Sequence, residues 1–291
     1  MSKNIPISLL ELAIVTQGST TSETLTKTKE LAQLADSLEY NRFWLAEHHN
    51  MQHVASSATV VLISYIASQT KKIRVGSGGI MLPNHSPLII AEQFGTLETL
   101  FPNRIDLGLG RAPGTDTLTA QAIRKDFFDE AQQFPKNVSA LQTYFSNENS
   151  SSPVRAFPGE GVEVPIWILG SSMDSAVLAA AYGLPYAFAG HFAPKQMVQA
   201  FEFYRENFEP SNVLSSPKTM ACVNIIAADT NEEAELLSTS LYQMFLNLIR
   251  NDRKGLQPPV PSLDDIMNEA ERFHVNQMTA GTFTGNKEQL K

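Results

Sequence analysis

At 291 residues, 43% of them hydrophobic and 18% charged, the chain has the make-up of a globular protein near the usual size of one α/β barrel. Its formal charge of −8 and lack of any Lys/Arg cluster exclude a nucleic-acid surface, which needs concentrated positive charge to neutralise phosphates. A single cysteine, Cys222, cannot form an internal disulfide and suits a reducing compartment.

The N-terminal stretch MSKNIPISLLELAIVTQG holds Glu11 inside a short apolar run and offers no small-residue cleavage site, so it does not read as a signal peptide. Apolar runs elsewhere, such as residues 60–63, fall far below a membrane span. The expectation is a soluble, cytoplasmic protein of one domain, residues 1–291.

In chain order, residues 9–15 read as a buried strand. A helix pattern follows in which Leu25, Leu31, Leu34, Ala35 and Leu38 share a face. Residues 43–46 form a second strand and 57–68 a second helix. A third strand runs from 73 to 82 through Ser77-Gly78-Gly79 and is loose at its end, and a helix begins at Pro87 and reaches Leu100. Residues 105–109 are the fourth strand, 121–146 a helical stretch, and 165–169 the fifth strand. A helix from 172 to 182 is closed by Gly183. Residues 186–189 and 221–227 are the sixth and seventh strands, each with a helix pattern after it. This alternation implies a parallel sheet covered by helices. Polar or Gly-rich residues recur after the strands (Gln17, His48, Ser77-Gly78-Gly79, Arg111, Ser171-Ser172, His191), and a barrel of the (β/α) type gathers such ends into one mouth. An eighth strand is not visible, so the barrel reads as lacking its last β/α unit.

Several positions carry candidate chemistry. "RFWLAEHHNM", residues 42–51, delivers Glu47, His48 and His49 together at a strand end. Successive strand residues face opposite ways, so the two histidines serve different faces. The stretch from Asp106 to Gly114 is a Gly-punctuated strand end carrying Arg111. It is not a dinucleotide fingerprint, because Pro113 stands where the third glycine would, and it is not a P-loop. Arg111 fits either a structural ion pair or an anion ligand. Gly170-Ser171-Ser172 joins a strand to a helix start, which fits either an N-cap or a phosphate site. Gly78-Gly79 fits a bulge or the close approach of a flat ligand. No HExxH, Cys cluster or Gly-x-Ser-x-Gly elbow occurs, so neither a metal site nor a serine hydrolase is expected.

Taken together, "FWLAEHHNM", the block of residues 73–116, "VPIWILGSS", "GLPYAFAGHFAP" and "NIIAADTNEEA" resemble the bacterial-luciferase-like, flavin-dependent monooxygenases over nearly the whole chain. The resemblance implies an α/β, TIM-type barrel that binds FMN. It places His48 as catalytic and facing the flavin, with Gly78 and Gly79, often joined by a cis peptide, beneath the ring. Arg111 and the turn Gly170, Ser171, Ser172, with Ser175 one helical turn on, contact the FMN phosphate. It further implies reduced FMN and O2 as co-substrates with a small organic substrate, a separate flavin reductase, and a homodimer through the second and third helices. Two departures stand out. The luciferase subunit has an acidic residue where this chain has Ser171, and the family continues for one more strand and helix beyond Gly285-Asn286-Lys287-Glu288. Two other readings share the barrel: an FMN-binding protein without turnover, and a deazaflavin-dependent reductase.

Overall fold

The computed structural model describes residues 5–252 and 254–291. They form two compact units. The first comprises the residues up to Ala13 and Ser22–Leu169; the second comprises Ile14–Thr21 and Gly170–Lys291.

The first unit alternates strand and helix: β1 (Ser8–Glu11), α1 (Thr21–Ser37), β2 (Arg42–Leu45), α2 (Thr59–Gln69), β3 (Arg74–Met81), α3 (Pro87–Leu100), β4 (Ile105–Gly110), α4 (Thr117–Ile123), α5 (Phe127–Gln132), α6 (Phe134–Phe145) and β5 (Ile166–Gly170). The ladders β1–β2, β2–β3, β3–β4 and β4–β5 are all parallel. The second unit holds α7 (Met173–Ala181), β6 (Tyr186–Phe188), α8 (Met197–Glu206), β7 (Thr219–Ala221), β8 (Asn224–Ala227), α9 (Asn231–Ile249), α10 (Glu269–Met278) and β9 (Thr282–Gly285). There β6 pairs with β7 and β8 with β9, again in parallel. Strands β1 to β7 keep chain order in one seven-stranded sheet, the α/β architecture expected of a (β/α) barrel lacking a closing unit. Among the described residues, β2 is the one ladder neighbour of β1.

Local chemistry sets the strand ends. β1 stops before Ala13, whose φ is +51° and whose N–H donates to Glu11 Oε1 at 2.6 Å. At the entrance to β3, Asp36 at the end of α1 accepts the N–H groups of Lys71, Lys72 and Ile73. Buried Glu98 accepts those of Asn103 and Ile105 ahead of β4.

Four expectations are corrected. The helix-1 leucines do not form the inner face: Leu31, Leu34 and Leu38 are exposed, while Thr24, Thr28, Ala32 and Ala35 are buried. Small residues there let the helix lie close to what it covers, and Thr28 Oγ1 reaches Glu11. The stretch 121–146 is three helices, broken after Ile123 and restarted where Pro135 fits the first turn of α6. The segment expected as the seventh strand splits at Cys222-Val223 into β7 and β8, which belong to different sheets. A ninth strand, Thr282–Gly285, was not expected; it is four residues long and turns Phe283 to solvent, so it carries no apolar run.

Beneath the first unit's strands lies a charged plug. Arg42 and Arg74 are register partners on β2 and β3, and Gly76 is the partner of Asp106 on β4. Asp106 is fully buried and accepts from Trp44 Nε1 (3.2 Å) and from Arg74 Nε and Nη2 (3.0 and 2.8 Å). Arg42 Nε lies 2.9 Å from Asp106 Oδ2, the oxygen that also accepts from Trp44, and the Arg42 guanidinium stacks 5.2 Å over Trp167. Trp44 packs edge-on to Trp167. Above the plug β3 and β4 approach so closely that a Cβ on Gly108 would fall 2.3 Å from Ser77 O. No helix among the described residues is long and apolar enough to cross a membrane.

Candidate active site

The C-terminal ends of β2, β3 and β4 meet around one buried carboxylate. Glu47 is 1% exposed. Its Oε1 accepts from His49 Nε2 (2.9 Å), His85 Nε2 (2.9 Å) and Asn84 Nδ2 (3.0 Å), and its Oε2 from the Met81 N–H (3.0 Å). Burial alone would raise its pKa. The hydrogen bonds from His49, His85 and Asn84 and the charge of His85 outweigh it and hold the carboxyl at about 2. His49 is therefore tied back into the wall, while Asn84 and His85 return from the turn between β3 and α3.

His48, between Glu47 and His49 in the chain, is half-buried. Its Nδ1 lies 3.3 Å from Gly114 O, which also accepts the His49 N–H at 3.1 Å. Burial lowers the His48 pKa below the ordinary imidazole value. The Gly114 bond and Glu47 oppose that shift, and His49 and His53 add to it. The ring is thus neutral at neutral pH, with a nitrogen available to a ligand. The loop after β4 that supplies Gly114 is stitched to the loops after β2 and β3. Thr115 Oγ1 donates to His49 O, Asn84 Nδ2 to Pro113 O, and Asn50 Nδ2 to Asp116 and Thr119.

Gly78 and Gly79 lie within β3 rather than after it; their peptide is cis, and the β3–β4 register shifts between Gly78 and Ile80, so the bulge is present too. A Cβ on Gly78 would fall 2.7 Å from the Leu10 side chain and one on Gly79 2.5 Å from Leu169, so neither position has room for a side chain. Arg111 is exposed in the loop after β4. One further residue near His48 escaped the sequence reading: His53 acts electrostatically on His48, and its Nδ1 is buried with no hydrogen-bond partner.

In the second unit, Ser172 is the N-cap of α7, but its side chain makes no capping bond, so its hydroxyl leaves the first-turn N–H donors to other partners. Ser175 Oγ donates to Ser172 O (2.7 Å) and meets Tyr186 Oη (3.0 Å). Gly170 is required beneath it, because a Cβ there would lie 2.1 Å from Ser175 Oγ. Ser171 is half-buried at the turn.

Family comparison fits this arrangement. The model of the luciferase-like monooxygenases matches residues 8–289, through both units. The chain belongs to the luciferase-like monooxygenase family. It is 48% identical over 289 residues to a luciferase-like monooxygenase of Escherichia coli (strain K12), covering 99% of this chain and 86% of that one. It is 32% identical to the N-acetyl-S-alkylcysteine monooxygenase of Bacillus subtilis (strain 168), covering 98% and 86%. The crystal structure of apo-MsnO8 superposes with a TM-score of 0.86 at 32% identity, covering 99% and 87%. The fold alone is shared with two more distant structures. One is the oxygenating constituent of 3,6-diketocamphane monooxygenase from the CAM plasmid of Pseudomonas putida in complex with FMN (TM-score 0.69, 17% identity, covering 98% and 85%). The other is an F420-dependent secondary alcohol dehydrogenase (0.66, 14%, covering 98% and 87%).

In this family member the Glu47 network has a measurable signature. The folded pKa of Glu47, about 2, lies below its ordinary value of 4.5. The stabilisation it contributes is complete above pH 4.5 and is lost as pH falls through 2, on the order of 3 kcal/mol in all. Acid titration of stability should therefore show Glu47→Gln well below wild type at pH 6 and the two curves converging towards pH 2. A constant gap across that window would mean the carboxylate is not held ionised by its partners.

Proposed function

We propose that this protein is an FMN-dependent monooxygenase in which reduced flavin and O2 oxidise a small organic substrate. The observation that carries the reading is the half-buried His48 beyond the end of β2, held through Nδ1 at Gly114 O, in a chain of the luciferase-like family. Bound reduced FMN would supply the electrons that activate O2, and the protein would position it and keep water out. The residues fit such a group. A helix start not capped by Ser172's side chain suits a phosphate.

In this reading Arg111, Ser171 and Ser172 hold the FMN phosphate, Gly170 and Ser175 shape the turn they stand on, and His48 acts as base or hydrogen-bond partner beside the flavin. The oxygenating constituent with the same fold supports a separate flavin reductase as partner. A cytoplasmic homodimer through α2 and α3, whose outer faces expose Val61, Tyr65 and Ile89, completes the proposal.

The direct test supplies FMN, a flavin reductase with its nicotinamide donor and 18O2, and screens small organic compounds for products carrying one 18O atom. Protein that binds FMN but yields no such product across the screen supports a flavin carrier instead. The fold shared with the F420-dependent dehydrogenase favours one second reading, a deazaflavin reductase. Tight F420 binding with no affinity for FMN would establish it.

Phosphate recognition is tested separately. Arg111→Ala should weaken FMN by about 1.5–3 kcal/mol, the worth of a charged hydrogen bond, and leave riboflavin nearly unaffected. Equal losses for the two ligands, measured by fluorescence titration, would remove Arg111 from the phosphate site.

A further inference from the structure

We propose that Gly114 is a positioning residue that makes His48 a proton acceptor: its carbonyl oxygen accepts a hydrogen bond from Nδ1–H, so the neutral ring presents a bare Nε2 to the ligand. This rests on the reading of His48 as the residue that meets the flavin or substrate. The Gly114 oxygen can only accept, and it takes two donors, the His49 N–H at 3.1 Å and His48 Nδ1 at 3.3 Å. In the other neutral tautomer the Nδ1 lone pair would face the carbonyl lone pair, which is repulsive.

The oxygen is held from both sides. The preceding carbonyl, Pro113 O, is fixed by Asn84, whose amide also binds Glu47, and the following residue, Thr115, bonds to His49 O. Residue 114 itself sits at φ +66°, and a Cβ there would fall 2.6 Å from Glu47 O and 3.2 Å from Met81 Cγ. Glycine is the residue that accepts both the dihedral and the contact. The consequence is directional. His48 in its resting form removes a proton from a ligand through Nε2 and does not offer one.

The test uses the full chain labelled with 15N-histidine, with no flavin needed. Ring-nitrogen spectra above the His48 titration should show Nδ1 protonated and Nε2 bare, the signals being assigned by their loss in His48→Gln. A proton on Nε2 in the wild-type protein would overturn the proposal. Gly114→Ala should bring in the Nε2–H tautomer, and an unchanged spectrum would overturn the role of Gly114. Should that variant fail to fold, Thr115→Val, which removes one clamp on the loop, should give the same change in smaller measure; an unchanged spectrum there counts against the loop. Protein that shows the Nδ1–H tautomer but fails to bind FMN leaves this assignment standing and removes the flavin reading instead.

Discussion

Replacing His48 with alanine is expected to lower turnover by about 10²–10⁴-fold, the usual contribution of a positioned acid or base, while folding and FMN affinity persist. The asymmetry between neighbours makes this checkable. His48 uses one ring nitrogen on Gly114 O and is half-buried, so its removal deletes a single long hydrogen bond from the folded state. His49 instead donates through Nε2 to a carboxylate that is 1% exposed. His49→Ala takes one of the donors that hold Glu47 ionised, and should lower thermal stability, with activity lost only as the fold is lost. Full activity of His48→Ala on an identified substrate, or an intact melting temperature in His49→Ala, would reverse the two roles.

How much of this was legible beforehand depends on the range over which each feature is encoded. α3 is found over residues 87–100 as read, because Pro87 at its first turn and the apolar spacing behind it are local signals. β2 and β4 were equally plain as apolar runs. β9 was not, because Thr282–Gly285 is short and half-exposed and is held by pairing with β8 nearly sixty residues away, a partner that no local pattern announces. The first helix misled for a related reason. Its leucines satisfy the helical period, but the close approach to the sheet is made by Thr24, Thr28, Ala32 and Ala35.

The site divides in the same way. Glu47, His48 and His49 were visible as a group, but β2 ends at Leu45, so strand alternation does not set the directions of the two histidines; their different partners, Gly114 O and Glu47, do. That Asn84 and His85 come back to Glu47 was not visible, although the turn residues Pro83-Asn84-His85-Ser86-Pro87 mark a rigid reversal at which polar side chains could converge. The tautomer of His48 depends on a carbonyl sixty-six residues away, in a loop read only as a possible anion site.

The second large effect lies at the other end of the strands, where Asp106→Ala should destabilise the protein by about 3–5 kcal/mol, the cost of breaking a buried ion pair from one side. Asp106 is fully buried between two guanidinium groups, and Arg42 and Arg74 have side-chain exposures of 11% and 23%. With the carboxylate gone, two like charges on neighbouring strands lose their shared counter-ion, Arg74 keeping the carbonyls of Asn103 and Ile105, and the Trp44 N–H loses its acceptor. Arg42 remains stacked on Trp167, which limits how far it can swing out to water. Asp106→Asn keeps the shape and an acceptor for Trp44 but not the charge, so it should be nearly as damaging if electrostatics dominate and mild if packing does. Chemical denaturation of the three proteins separates these cases. A loss under about 1 kcal/mol for the alanine variant would mean that water or a rearranged arginine already satisfies the cluster, and that the plug is not what holds β2, β3 and β4 in register.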